Sequence, residues 1–103
     1  MSIIKLEVVK QDLRVIHDAD DDMLQRHLDA SEREAIHFMN LAALPMQDVQ
    51  SSDPDGADVE PDVVTAVSIL VRGKYEAATA SEIDALRRSA ETLLMPYRVG
   101  LGV

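Results

Sequence analysis

Apolar residues recur at steps of three and four along most of this chain, the spacing of an amphipathic α-helix. The pattern predicts four helices, at about residues 4–14, 20–42, 62–78 and 81–95. One face of the first helix continues past its end and includes Leu6, Val9, Leu13 and then Ile16. The stripe of the second runs from Leu24 to Ala42, and it leaves Glu32 and Glu34 on other faces. The expected fold class is all-α, a small four-helix protomer.

The third predicted helix is apolar nearly all round until Arg72, so we expect it to be the central helix or to lie between subunits. Ser81 stands three residues before Asp84, a capping pattern for the fourth helix. Pro96 should end that helix, because the residue before a proline is pushed out of the helical region.

A proline-rich and acidic linker, residues 45–61, separates the second and third helices. It holds three of the four prolines and the sequence Asp53-Pro54-Asp55-Gly56. These residue types favour turns over regular structure. Long loops in small domains tend to be functional or flexible. We therefore expect a long acidic loop within one domain that spans residues 1–103.

The charge and composition of the chain exclude several classes of function. The net charge is −9, with −10 on residues 1–62 and +1 on residues 63–103. Binding to nucleic acid needs a basic footprint, so tight contact with a phosphate backbone is not expected. The chain has no cysteine, which excludes thiolate metal sites and cysteine nucleophiles. The N-terminal segment is interrupted by charges every few positions, and it is typical of neither a signal peptide nor a membrane span.

The sequence gives little support for a catalytic or metal-binding site. Asp18, Asp20, Asp22 and Asp29 partly mimic a calcium loop, but Met23 stands where such a loop needs glycine. The histidines at positions 17, 27 and 37 are spaced by ten residues, about 80° of helical rotation from one to the next. They do not share a ligand face. We expect no enzymatic activity, no cofactor and no metal.

The order of the segments resembles a known family. The relevant pieces are Val9-Lys10 with Leu13-Arg14, Asp20 to Leu24, the helix from Pro61 to Tyr75-Glu76, and Leu93-Leu94 followed by Pro96-Tyr97-Arg98. Together they are similar to the small head–tail connector proteins of tailed bacteriophages, also called head-completion adaptors or DNA-packaging connectors.

The resemblance implies a structural virion protein. Such a protein assembles as a ring, commonly of twelve copies, that docks beneath the portal protein and joins the capsid to the neck or tail-completion protein. DNA passes through the channel without specific binding. The implied location is the virion neck, with the host cytoplasm as the site of assembly and no membrane partner.

Two sets of residues are candidates for this role. The interface candidates are Tyr75, Pro96, Tyr97, Arg98, Val99, Leu101 and Val103. Arg98 is expected to pair with an acidic residue. The channel-facing candidates are the acidic residues Asp53, Asp55, Asp58 and Glu60 of the linker, with the acidic cluster at residues 18–22 as the alternative. A free-standing acidic helical interaction module or regulator fits the same composition, and co-purification with virions distinguishes the two functions.

Overall fold

A computed structural model describes residues 3–46, 59–76 and 79–99 of the chain. It contains four α-helices, α1 (Leu6–Leu13), α2 (Asp21–Met39), α3 (Pro61–Tyr75) and α4 (Ala80–Leu94), followed by a 3₁₀ turn at Met95–Tyr97. No strand occurs in these ranges beyond one isolated bridge between two residues. The all-α class and the order of the helices are confirmed.

The first two helices end earlier than the apolar pattern indicates, and each ends in the same way. Arg14 and Asn40 adopt left-handed backbone conformations, with φ of 59° and 58°. The following amide in each case donates a hydrogen bond five residues back, from Val15 to Lys10 and from Leu41 to Ile36. This is the Schellman arrangement, which satisfies carbonyls at a helix end while the chain turns away.

The early end of α1 overturns the predicted position of Ile16. The chain has already turned at Arg14, so Ile16 does not continue the face of Val9 and Leu13. Both of those residues are buried, whereas Ile16 is 96% exposed.

The fourth helix is capped by a residue other than the one predicted. Thr79 is the N-cap of α4, and its side-chain oxygen accepts a hydrogen bond from the backbone N–H of Glu82 at 3.2 Å. Ser81 already lies inside the helix. Helix α4 ends at Leu94, close to the predicted end, and Pro96 sits in the 3₁₀ turn that follows. The expected reason is wrong, because Met95, directly before the proline, keeps a helical backbone with φ of −54° and ψ of −43°.

Helix α3 is central, as its all-round apolar sequence predicts. It packs against α1, α2 and α4, and α4 forms an extensive contact with it. Buried side chains from all four helices, from the segment before α1 and from both sides of the linker form one core: Ile4, Val9, Leu13, Leu24, Leu28, Ala35, Met39, Leu44, Val59, Val63, Ala66, Val67, Leu70, Val71, Ala90 and Leu94. No helix in the described part of the chain is long and apolar enough to span a membrane.

The two ends of the linker lie side by side. Met46 and Val59 form an antiparallel bridge, and the amide of Glu60 donates to the carbonyl of Pro45 at 3.1 Å. Leu44 and Val59 are both buried in the core. The chain therefore leaves the helical body at Met46 and returns to it at Val59, beside the point where it left.

Candidate assembly interfaces

The C-terminal segment folds back onto the end of α2. The backbone N–H of Val99 donates to the carbonyl of Met39 at 3.0 Å. The guanidinium of Arg98 lies over the ring of Phe38, 4.9 Å from its centroid. The contact seen for Arg98 is thus a cation–π interaction with Phe38, whereas the sequence favoured an ion pair. The side chains of Met95 and Val99 remain about half exposed, at 43% and 48%.

Tyr97 ties this segment to the start of α3. Burial raises the pKa of the Tyr97 hydroxyl, and the nearby carboxylates of Glu60 and Asp62 raise it further. A hydrogen bond with Glu60 acts in the same direction. Thus Tyr97 and Glu60, predicted for two different surfaces, lie close together. The other candidates Asp53, Asp55, Asp58, Leu101 and Val103 lie outside the described residues.

Tyr75 lies at the opposite end of α3 from Tyr97 and Glu60, about 21 Å away at 1.5 Å per residue. Its ring packs on the core, and its hydroxyl donates to Asp20 at 2.6 Å. That hydrogen bond to Asp20 is the largest cause of the raised pKa of Tyr75, and burial adds to it. The structure therefore separates the interface candidate Tyr75 from those of the C-terminal segment.

A cluster of charges surrounds the turn between α1 and α2. The ammonium of Lys10 lies 2.9 Å from a carboxylate oxygen of Asp18 and 2.7 Å from one of Asp21. Hydrogen bonds to Asp21 and then Asp18 raise the pKa of Lys10, and the bond from Lys10 lowers the pKa of Asp18. One lysine faces two carboxylates, so the cluster carries one uncompensated negative charge. We call this cluster together with Ile16 the Ile16 corner.

A groove lies between α3 and α4, and its rim carries a net positive charge, opposite to that of the Ile16 corner. Its volume is about 110 Å³, and its walls include Ile69, Leu70, Ile83 and Leu86. Gly73 also lines it and faces Leu86. We call it the α3–α4 groove.

At the rim of the α3–α4 groove, Glu34 pairs with Lys74 at 2.8 Å and with Arg87 at 3.1 Å. Two cations share one carboxylate, which leaves one uncompensated positive charge. The sequence signal for this surface is weak, because its residues come from three helices far apart along the chain.

These surfaces suit contacts between proteins, because each combines exposed apolar side chains with charges held in fixed positions. Among the described residues, no group of three or more His, Asp or Glu side chains is placed to hold a metal ion. Asp18 and Asp20, two members of the calcium-like pattern, are bonded to Lys10 and Tyr75.

Comparison with known families gives a match to the family of phage gp6-like head-tail connector proteins over residues 3–98. This chain belongs to that family. The match spans all four helices and the linker, so the resemblance seen in the sequence is confirmed. Searches of curated proteins and of solved structures gave no significant match.

Family membership gives this connector a structural role in the phage virion rather than a catalytic one. It also places the connector in contact with other head or tail proteins.

Sequence reasoning missed one buried group of this connector. Glu32 was expected on an outer face of α2, but it is only 6% exposed. Its two carboxylate oxygens accept the backbone N–H groups of Ile3 and Ile4, at 3.2 and 2.8 Å. Burial raises the pKa of Glu32, and the two N–H bonds offset part of that effect. Glu32 therefore holds the N-terminal segment against α2.

Proposed function

We propose that this connector forms a ring, of twelve copies in the virion by analogy with the family, that docks beneath the portal protein. The ring joins the capsid to the neck or tail-completion protein, and DNA passes through its channel. Family membership over residues 3–98 is the observation that carries this proposal. In this proposal, the chain is made in the host cytoplasm and ends in the neck of the particle.

The acidic residues have a role in this proposal. Asp53, Asp55, Asp58 and Glu60 face the channel, where like charges keep the phosphates of passing DNA from adhering. The bridge between Met46 and Val59 fixes where the acidic linker joins the helical body. Glu60 is held at the start of α3, where its amide is bonded to Pro45.

The C-terminal tail docks on a neighbouring protein in the assembled neck. The segment up to Val99 has its own anchors on α2, through the bond to Met39 and the stacking of Arg98 on Phe38. The half-exposed side chains of Met95 and Val99 then supply an apolar surface continuous along the chain with Leu101 and Val103. Tyr75, at the other end of α3, contacts a second neighbour.

A truncation tests the docking of the tail. A chain that ends at Val99 keeps the bond to Met39, so its helicity and its thermal midpoint should match those of the full chain. Its incorporation into particles, measured by quantitative immunoblot of purified virions, should be lost. A longer deletion, of residues 99–103, should in addition lower the thermal midpoint because the anchor at Met39 is removed.

The same measurement tests the whole function. The full-length chain should co-purify with particles of its phage, in a fixed number of copies per particle. Its absence from particles would favour a free-standing acidic interaction module. Full incorporation of the chain that ends at Val99 would show that the tail has no docking role.

A further inference from the structure

We propose that neighbouring copies in the ring meet through one specific contact: Ile16 of one copy enters the α3–α4 groove of the next. The inference rests on the proposed ring and names the residues that hold it together. The occupant of the groove is thus a second copy of this chain.

The apolar parts of the two surfaces match in size. Ile16 is 96% exposed and stands at a turn fixed by the left-handed Arg14 and by the bonds of Lys10 to Asp18 and Asp21. The groove offers about 110 Å³ between apolar side chains. An apolar cavity of about 150 Å³ holds a benzene ring, so a groove of this size suits the four-carbon side chain of isoleucine.

The charges around the two surfaces are complementary. The Ile16 corner has one carboxylate in excess, because Lys10 is shared by Asp18 and Asp21. The rim of the groove has one cation in excess, because Glu34 is shared by Lys74 and Arg87. When Ile16 enters the groove, the two clusters come together and each supplies the charge that the other lacks. Such complementarity fixes the register of a contact and disfavours other pairings.

The two surfaces lie on different flanks of α3, as a ring requires. Helix α1, which leads into Ile16, is bonded to α3 through Asp12 and Ser68 at 2.8 Å. The groove lies where Gly73 of α3 faces Leu86 of α4. From Ser68 to Gly73 the helix turns by about 140°, at 100° per residue. One copy can therefore engage two neighbours at once, in the head-to-tail manner that closes into a ring.

Cysteine cross-linking tests the contact directly, because the natural chain has no cysteine. The double variant Ile16→Cys/Ile83→Cys, incorporated into particles and mildly oxidised, should give a ladder of disulfide-linked multimers on a non-reducing gel. A mixture of the two single variants should stop at dimers. The matched control is Ile3→Cys/Ile83→Cys, since Ile3 is also an exposed isoleucine but lies against α2. The control should give no ladder.

A second variant keeps the test independent of cross-linking. Ile16→Asp changes an exposed side chain, so its helicity should be unchanged while its incorporation into particles is lost. Particles that incorporate the Ile16→Cys/Ile83→Cys variant but show no ladder after oxidation, or that accept Ile16→Asp fully, would overturn this contact and leave the proposed function standing. Absence of the wild-type chain from particles would instead overturn the proposed function itself.

Discussion

At the scale of single residues, Glu32 stands out because its carboxylate is buried. It is the one buried charged side chain among the described residues. Removing a carboxylate from water disfavours its ionised form, and hydrogen bonds from Ile3 and Ile4 compensate only in part. The burial of the Glu32 carboxylate therefore lowers the stability of the fold somewhat, while its two hydrogen bonds fix the position of the N-terminal segment.

Stability should depend on pH through this residue. The pKa of Glu32 is raised above its ordinary value of 4.5, so the folded chain binds more protons than the unfolded chain just above that pH. The free energy of unfolding should fall as pH rises from about 4.5 through the folded-state pKa, by about 1.4 kcal/mol for each pH unit between the two pKa values.

Urea denaturation of wild type and Glu32→Gln, at a series of pH values from 4 to 7, measures this dependence. The variant should lack the fall in stability that wild type shows. The lowered pKa of Asp18 produces the opposite slope at more acidic pH, and it affects both chains equally. Parallel curves for the two chains would contradict this account of Glu32.

The environment of some single residues could be predicted from the sequence, whereas that of others could not. The hydroxyl of Tyr75 could be placed at the rim of the core, because a tyrosine at the end of an apolar helix keeps its polar end near water. The burial of Glu32 could not be predicted, because it depends on two backbone N–H groups about 28 residues away in the chain. The sequence pattern around Glu32 does not indicate its hydrogen bonds to Ile3 and Ile4.

At the scale of helices, the cap of α4 decides where the last helix begins. Thr79 has extended backbone geometry and bonds to the N–H of Glu82, the geometry of an N-cap. Replacing Thr79 by alanine leaves that N–H without its partner.

Thr79→Ala should therefore lower the free energy of unfolding by about 1 kcal/mol. The thermal midpoint should fall by about 4–8 °C for a domain of this size. The matched control is Ser81→Ala, which removes a hydroxyl two residues later from an exposed position inside the helix. Differential scanning calorimetry should find the control unchanged, and an equal loss in Ser81→Ala would return the cap to Ser81.

Helix order and most helix faces followed from periodicity, whereas the ends of α1 and α2 did not. The stripe of apolar residues continues past Leu13 to Ile16 and past Met39 to Ala42. The helices stop where they do because Arg14 and Asn40 adopt left-handed conformations that satisfy the terminal carbonyls. Asparagine adopts this conformation more readily than most residues, but arginine gives no such signal.

At the scale of the whole molecule, Gly73 connects the stability of one copy with assembly. Glycine within a helix is less stable than alanine by about 0.5–1 kcal/mol. A Cβ at this position would lie 3.7 and 3.8 Å from atoms of Leu86, which is ordinary contact. The packing of α3 on α4 does not therefore require glycine, but the added methyl group would occupy part of the groove.

Gly73→Ala should have opposite effects on the monomer and on the ring. Denaturation of the monomer should show a gain of about 0.5–1 kcal/mol. Incorporation into particles should decrease, because the proposed site for Ile16 of a neighbouring copy would be smaller. A variant that is more stable and assembles as well as wild type would show that this part of the groove is not occupied in the ring.

The family of the molecule was predictable from the order of its segments, while its proposed contact surfaces were not. The pieces from Val9 to Arg98 have the order and spacing of a connector. The α3–α4 groove depends on Glu34, Lys74 and Arg87, which meet only after three helices pack. The exposure of Ile16 depends on the end of α1.

The bridge between Met46 and Val59 has a practical consequence. These two residues hold the ends of the linker together. The stability of the helical body should therefore depend on the length of the intervening chain only through the entropy of closing the loop. That entropy grows slowly, by about 0.6 kcal/mol for each doubling of loop length. A peptide tag or a fluorescent label inserted in the linker should leave the fold intact. The linker is thus an attachment point for a label that would report its position in an assembled particle.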